Sequence, residues 1–251
     1  MLNGIIKKTP LEAYSRPRSS GIIAIKLLEQ DELIDAQITE GDNDIILATR
    51  NGYANRFNET KVRTVGRNSQ GVRGIRLREG DYVVSMVVIT KNGTLLAICE
   101  NGYGKRTPID SYPAKNRGTK GVITIKTTTR NGYLVALLEV LDTDDLMIVT
   151  KEGMILRHSV KEMSIIGRNT QGVRLVSLKK NDKVFDVACI SATDNDDSDE
   201  PEDKNRETSG SESIKTPKEK KPEPEEIIDE EVIDEEQVTL EFNNNDKKKK
   251  K

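Results

Sequence analysis

Gly66-Arg-Asn-Ser-Gln-Gly-Val-Arg-Gly-Ile75 and Gly167-Arg-Asn-Thr-Gln-Gly-Val-Arg174 are near copies of one another, 101 residues apart. Each follows a tight-turn dipeptide, Asn51-Gly52 and Glu152-Gly153, with a basic residue, Arg56 or Arg157, shortly after the turn. Two more diverged copies complete the series. Asn3-Gly4 is followed by Lys7-Lys8 and the loop Arg16-Pro-Arg-Ser-Ser-Gly21, and Asn101-Gly102 by Lys105-Arg106 and the loop Asn116-Arg-Gly-Thr-Lys-Gly121. The turns recur at steps of 48, 50 and 51 residues. A fixed period near fifty residues marks one supersecondary unit used repeatedly, each copy stacking on the next.

The unit is built of strands. Apolar runs of strand length, rich in Val, Ile and Thr and cut by Gly, Asn and Asp, fill the space between turns. They include Ile22–Ile25, Asp44–Thr49, Tyr82–Ile89, Leu95–Ile98, Gly121–Ile125, Tyr133–Leu138 and Leu146–Thr150. Asn-Gly between such runs is a hairpin signal of the kind in which both turn residues take positive φ. Ten residues after Gly21, Gly71 and Gly172 stands an aspartate, Asp31, Asp81 or Asp182, and after Gly121 stands Asn131. That pattern predicts a strand and then a turn held by a short polar side chain. No segment of the body shows helical apolar periodicity; single helical turns are expected around Pro10–Tyr14, Ile109–Tyr112 and Val160–Met163. About fifty residues and four strands per unit is the arithmetic of a propeller blade. The expected class is all-β, with four blade repeats at about 1–41, 42–91, 92–142 and 143–190, and a disordered acidic tail over 191–251.

Charge separates body from tail. Residues 1–190 carry 29 Lys and Arg against 21 Asp and Glu, a net of +8; residues 191–251 carry 11 against 21, a net of -10, and the chain ends in Lys247–Lys251. A cation at the same place in every unit makes a charged track, and the polymer that needs one is nucleic acid. The candidate contacts are the cations after the turns (Lys7, Lys8, Arg56, Lys105, Arg106 and Arg157) and those of the loops (Arg16, Arg18, Arg67, Arg73, Lys115, Arg117, Lys120, Arg168 and Arg174). Loop glycines would let backbone N–H groups approach phosphate oxygens. Tyr14, Tyr112 and Phe57 read as rings that pack the ends of blades.

Other chemistry is poorly supported. Cys99 and Cys189 sit in apolar runs and read as buried reduced thiols, and one histidine, His158, completes no zinc set. No phosphate-binding Gly-x-x-x-x-Gly-Lys-Ser/Thr loop, catalytic triad or paired carboxylate in an apolar setting is present. No cofactor and no metal is expected. The N-terminus has no apolar signal region and no apolar stretch approaches 18 residues, which predicts a cytosolic protein with no membrane partner. Because residue 3 already lies in a repeat turn, further repeats are expected upstream. A tryptophan-aspartate type of interaction propeller is disfavoured, since the chain has no tryptophan.

Asn3-Gly-Ile-Ile-Lys-Lys-Thr-Pro-Leu-Glu-Ala-Tyr14, Asn101-Gly-Tyr-Gly-Lys-Arg-Thr-Pro108 and the two Gly-Arg-Asn-Ser/Thr-Gln-Gly-Val-Arg loops closely resemble the C-terminal domain of the bacterial DNA gyrase A protein. The resemblance runs from residue 3 to about 190. It implies a β-pinwheel whose blades exchange strands and whose basic rim wraps duplex DNA, supporting ATP-dependent negative supercoiling. The partners it implies are the ATP-hydrolysing gyrase B protein, the rest of gyrase A, and DNA, in the bacterial cytoplasm at the nucleoid. The family's disc has more blades than the four repeats here, so an incomplete disc is expected. Its Gln-Arg-Arg-Gly-Gly-Lys-Gly type box has its nearest echo in Lys115-Asn-Arg-Gly-Thr-Lys-Gly121. The family's cleavage nucleophile is a tyrosine after an arginine, and this chain has no Arg-Tyr pair, so no DNA cleavage is expected of it. A stand-alone architectural DNA-binding protein of gyrase origin, or the matching part of topoisomerase IV, would share these residues.

Overall fold

The computed structural model describes residues 1–191; the acidic segment from 192 onward, including its expected disorder, lies outside the described residues. The described chain is all-β. Its strands are β1 (Ile5–Ile6), β2 (Asp44–Thr49), β3 (Tyr53–Asn58), β4 (Val72–Arg73), β5 (Val83–Val88), β6 (Thr94–Cys99), β7 (Tyr103–Pro108), β8 (Val122–Ile123), β9 (Leu134–Val140), β10 (Asp145–Thr150), β11 (Ile155–Ser159), β12 (Val173–Arg174) and β13 (Val184–Ile190). They form four sheets, ordered β1-β4, β5-β2-β3-β8, β12-β7-β6-β9 and β11-β10-β13. Single 3-10 turns occupy Leu11–Tyr14, Ile109–Ser111 and Val160–Glu162, as the sequence indicates. A fourth, Glu59–Lys61, escapes the sequence reading and is capped by the Asn58 side chain accepting from the Thr60 N–H.

Each blade is a hairpin, such as β2-β3, with the unit's third strand, β5, on the inner side. The fourth strand comes from the following unit. β8, just past the loop glycine Gly121, pairs with β3 through Tyr53–Ile123 and Ala54–Val122. β12 does the same on β7, and β4 on β1. This exchange is why the post-loop strands are only two residues long and yet recur in register. Gly121 must be glycine at this crossing: its φ is +71°, and a Cβ would stand 2.4 Å from the Ala54 carbonyl oxygen.

Packing explains why the inner strands are continuously apolar rather than alternating. Successive side chains of a strand point to opposite faces. On β2, Ile45 and Leu47 enter one core with Ile6, Phe57 and Ile75, while Ile46 and Ala48 enter the next with Leu95, Ala97 and Leu137. On β6, Leu96 and Ile98 face a third core with Leu146, Ile148 and Val187. The cores therefore lie between blades. β10, in the fourth unit, buries Leu146, Ile148 and Thr150 and leaves the alternate residues half-buried.

Two expectations are corrected. The turns are not of the type with two positive φ values: Gly4, Gly52, Gly102 and Gly153 take positive φ, and Asn3, Asn51 and Asn101 do not. The Gly52 N–H closes the turn on the Thr49 carbonyl at 2.9 Å, and the Asn51 N–H is held by Asp81 Oδ1 at 3.0 Å. Asp31 and Asp182 hold Asn3 and Glu152 alike, so the aspartate after each loop pins the hairpin turn about thirty residues upstream. Asn131 departs from this: its backbone carbonyl takes the Asn101 N–H while its side chain ties Thr128. Secondly, Ile22–Ile25 forms no strand. In the later units this segment pairs with the hairpin of the unit before. Here the Ala24 and Ile23 carbonyls accept the Lys7 and Arg67 side chains, and Leu33 and Ile38 stay exposed.

Candidate nucleic-acid interface

The cations after the turns and those of the loops have different fates. Three residues past the turn glycines stand Lys7, Asn55 and Lys105, and each reaches the loop of the following unit. Lys7 Nζ donates to the Arg67 carbonyl, and Asn55 Nδ2 donates to the Asn116 carbonyl at 3.2 Å. Lys105 Nζ donates to the carbonyls of Gly167 (2.6 Å) and Arg168 and to Thr170 Oγ1 at 3.0 Å. Lys105 is wholly buried, and burial lowers its ammonium to about 8. One residue later, Lys8 pairs with Glu59 at 2.7 Å and Arg56 with Asp44 at 2.8 Å. Arg56 also donates to the carbonyls of Ile109 and Tyr112, at the 3-10 turn of the next unit. Arg106 repeats this on the Val160 carbonyl, with Asp142 at 2.7 Å. The expectation that Lys105 and Arg106 touch phosphate is corrected: their heads are sealed between the third and fourth units. Arg157, paired with Asp145, remains exposed.

Glu59 anchors the first of these junctions. Burial pushes its carboxyl up. The Lys8 ammonium, the Asn43 and Gly41 N–H groups and the Thr39 hydroxyl outweigh that and bring it down to about 2. A carboxyl whose folded pKa is depressed contributes stability above its unfolded value, here 4.5, and loses it as pH falls toward 2. With allowance for screening, roughly 1–2 kcal/mol should vanish across that window. Urea midpoints at pH 7, 4 and 3 should show the decline, and Glu59→Gln should flatten it; an equal decline in the variant would remove Glu59 from the account.

The loops stack on one another through one arginine position. Arg67 donates to the Ile23 carbonyl at 3.0 Å, Arg117 to the Arg73 carbonyl at 3.3 Å and Arg168 to the Ile123 carbonyl at 2.8 Å. In each case the acceptor lies two residues past the loop glycine of the preceding unit. A guanidinium has five N–H donors, so these contacts fix the arginine without exhausting it. Arg117 is exposed, and Arg67 and Arg168 are half-buried. Around this stitched row Arg16, Arg18, Arg73, Lys115, Lys120 and Arg174 are exposed. Sequence reasoning missed Arg63, Arg76, Lys126 and Arg130, exposed cations that fall outside the two repeating positions. Tyr112 and Phe57 are buried at blade ends, and Tyr14 is half-buried with its hydroxyl on the Ala24 carbonyl. Cys99 is buried, which pushes its thiol up to about 12; Cys189 is half-buried, with Sγ 3.3 Å from Asp144 Oδ2. No helix among the described residues is long and apolar enough to cross a membrane.

Hairpin blades that borrow their last strand from the next unit, with basic loops in register, define a strand-exchanged β-pinwheel of the topoisomerase type. The family model for the DNA gyrase C-terminal domain, a β-propeller, matches residues 3–40, 43–90, 94–140 and 144–191, and the chain belongs to that family. It is 41% identical over 217 residues to the DNA gyrase A protein of Pseudomonas aeruginosa, covering 86% of this chain and 24% of that one. It is 52% identical over 200 residues to the DNA gyrase A protein of Clostridium acetobutylicum, covering 80% and 24%. The chain thus spans about a quarter of the length of these relatives. Among solved structures it is similar to the C-terminal domain of DNA topoisomerase IV, with TM-score 0.73 and 30% identity over 77% of this chain and 61% of that one. The DNA gyrase A C-terminal domain gives TM-score 0.69 and 30% identity over 75% and 63%.

Proposed function

We propose that this chain binds duplex DNA along the exposed cations of its stacked loops and bends it into a wrap, as part of a gyrase A protein. The observation that supports this reading is the stitched row itself. One arginine per unit fixes each loop to the one before, and Arg18, Arg73, Lys115, Arg117, Lys120 and Arg174 stand exposed along it. Fixed loops hold cations at regular spacing, which suits a regular polyanion and favours phosphate over base contacts. In this role the chain cuts nothing itself. Cleavage falls to the rest of gyrase A, and ATP hydrolysis to gyrase B, in the cytoplasm, where the wrap sets the sign of supercoiling. Membership of topoisomerase IV is the second reading, favoured by the slightly higher TM-score; identities of 41% and 52% to gyrase A proteins weigh for gyrase.

Wrapping has a topological readout. Nicked plasmid resealed by ligase in the presence of the chain should shift its topoisomer distribution in proportion to bound protein. Binding without any shift would leave a DNA-binding domain that does not wrap.

A further inference from the structure

Many cations in the body face a carboxylate or a carbonyl oxygen. One cluster that does not is gathered around a cavity. Beside the Asn101-Gly102 turn, a cavity of about 310 Å3 lies between the third and fourth units, bounded by Asn101, Tyr103, Arg130, Arg174, Lys179 and Asp182. The three cations come from three separate segments: the turn before β9, strand β12, and the turn before β13. None of them makes an ion pair among the described residues, whereas Lys8, Arg56, Arg106 and Arg157 all do. The one carboxylate present, Asp182, directs Oδ1 to the N–H groups of Glu152 and Lys183 at 3.1 and 2.8 Å, and its Oδ2 is buried without a hydrogen-bond partner. Three cations against one carboxylate leave the lining with an excess of positive charge.

The arginines are held in place by an aromatic ring. Arg174 Nη2 donates to the Tyr103 hydroxyl at 2.9 Å, and the guanidinium carbons of Arg130 and Arg174 lie 4.9 and 5.5 Å from the ring centre. Tyr103 is buried, while Arg130, Arg174 and Lys179 are exposed. Arg130, then Arg174, lowers the phenol below its ordinary range. Since its oxygen accepts from Arg174, the phenol's own proton is available to an outside acceptor. The second unit has a related stack, Arg78 over Tyr53 at 3.3 Å, but there Arg78 donates to the Lys120 carbonyl. Planar guanidinium forks pre-set around a small opening match the tetrahedral oxygens of a phosphate.

We propose that this pocket seats one phosphate of the DNA backbone, gripped by Arg130, Arg174 and Lys179 with the Tyr103 hydroxyl as a neutral donor. This rests on the DNA-binding reading above and extends it: Arg174 follows directly from the Gly167–Gly172 loop, so the seat continues the loop track. The test uses the full chain, random-sequence duplex and, separately, inorganic pyrophosphate. Arg130→Gln with Lys179→Gln should weaken duplex binding about five- to tenfold, equally for different sequences, and make the log K against log salt slope shallower by about 1. Arginine Nε–H resonances of Arg130 and Arg174 should shift on adding duplex. Thermal midpoints of variant and parent should agree within a few degrees, so that the weaker binding is not unfolding. An unchanged slope in this variant, while Lys120→Gln makes it shallower, would overturn the seat and leave the loop track standing. Shifts with pyrophosphate that duplex does not compete away would also overturn it, in favour of a free-anion site. No duplex binding by the parent chain would overturn both readings.

Discussion

Lys105→Ala is expected to unfold the junction between the third and fourth units. The ammonium is the shared donor for the Gly167 and Arg168 carbonyls and the Thr170 hydroxyl, and its stem fills buried space. Truncation leaves the Gly167 and Arg168 carbonyls only their local bonds from the Thr170 hydroxyl and N–H, and opens a cavity. Lost charge-assisted hydrogen bonds and the void together give about 3–5 kcal/mol. For a body of this size that is a fall of roughly 6–20 °C in Tm. Lys105→Met keeps the stem and should fall by less. The lysine also leaves a pH signature. Its folded value of about 8 lies below the ordinary 10.5, so its own contribution to stability rises with pH between the two, while that of the Cys99 thiol, raised from 9.0 to about 12, falls above pH 9. Between pH 8 and 9, where the Cys99 effect is small, both variants should show a smaller rise than the parent. A Lys105→Ala protein with parental Tm would mean that the loop closes without it.

The second large effect is on binding rather than folding. Arg18→Glu, Lys115→Glu and Lys120→Glu together should reduce duplex affinity by about a thousandfold at 0.1 M salt, since each phosphate left without its cation forgoes close to one counterion-release increment. All three residues are exposed, and no salt bridge among the described residues involves them, so Tm should hold. The weakening should be the same for unrelated sequences, because phosphates carry no sequence information. Equal binding by variant and parent, or weakening for one sequence alone, would place the interface elsewhere.

The repeat was plain in the sequence because its markers are backbone demands. Gly4, Gly52, Gly102 and Gly153 all need positive φ, and Gly71, Gly121 and Gly172 meet both positive φ and a crossing strand, so no other residue serves. Strand positions followed from the apolar runs. Which strand pairs with which did not, since two-residue strands such as β4 and β8 carry too few side chains to specify a partner. Ile22–Ile25 shows the limit: its composition is that of a strand, and what decides its state is a partner hairpin. The cations were legible as a period and not as a direction. Lys105 and Lys120 look alike in sequence; one is buried against three oxygens and the other exposed because of loops that fold some sixty residues away or beside it. The aspartates were recognised as turn residues, but their grip on a hairpin about thirty residues upstream is a tertiary fact. Arg130 stayed hidden because it lies off both repeating positions.

The most direct test of the central claim, that exposed loop cations form a phosphate track, is the salt dependence of duplex binding by the full chain. If about six phosphates are neutralised, log K should fall against log salt with a slope near -5, equal for two unrelated sequences. Lys120→Gln should make the slope shallower by about 1, and Glu59→Gln, which alters a junction and no loop cation, should leave it unchanged. A parental slope of about -2 or shallower, or one that depends on sequence, would contradict the track.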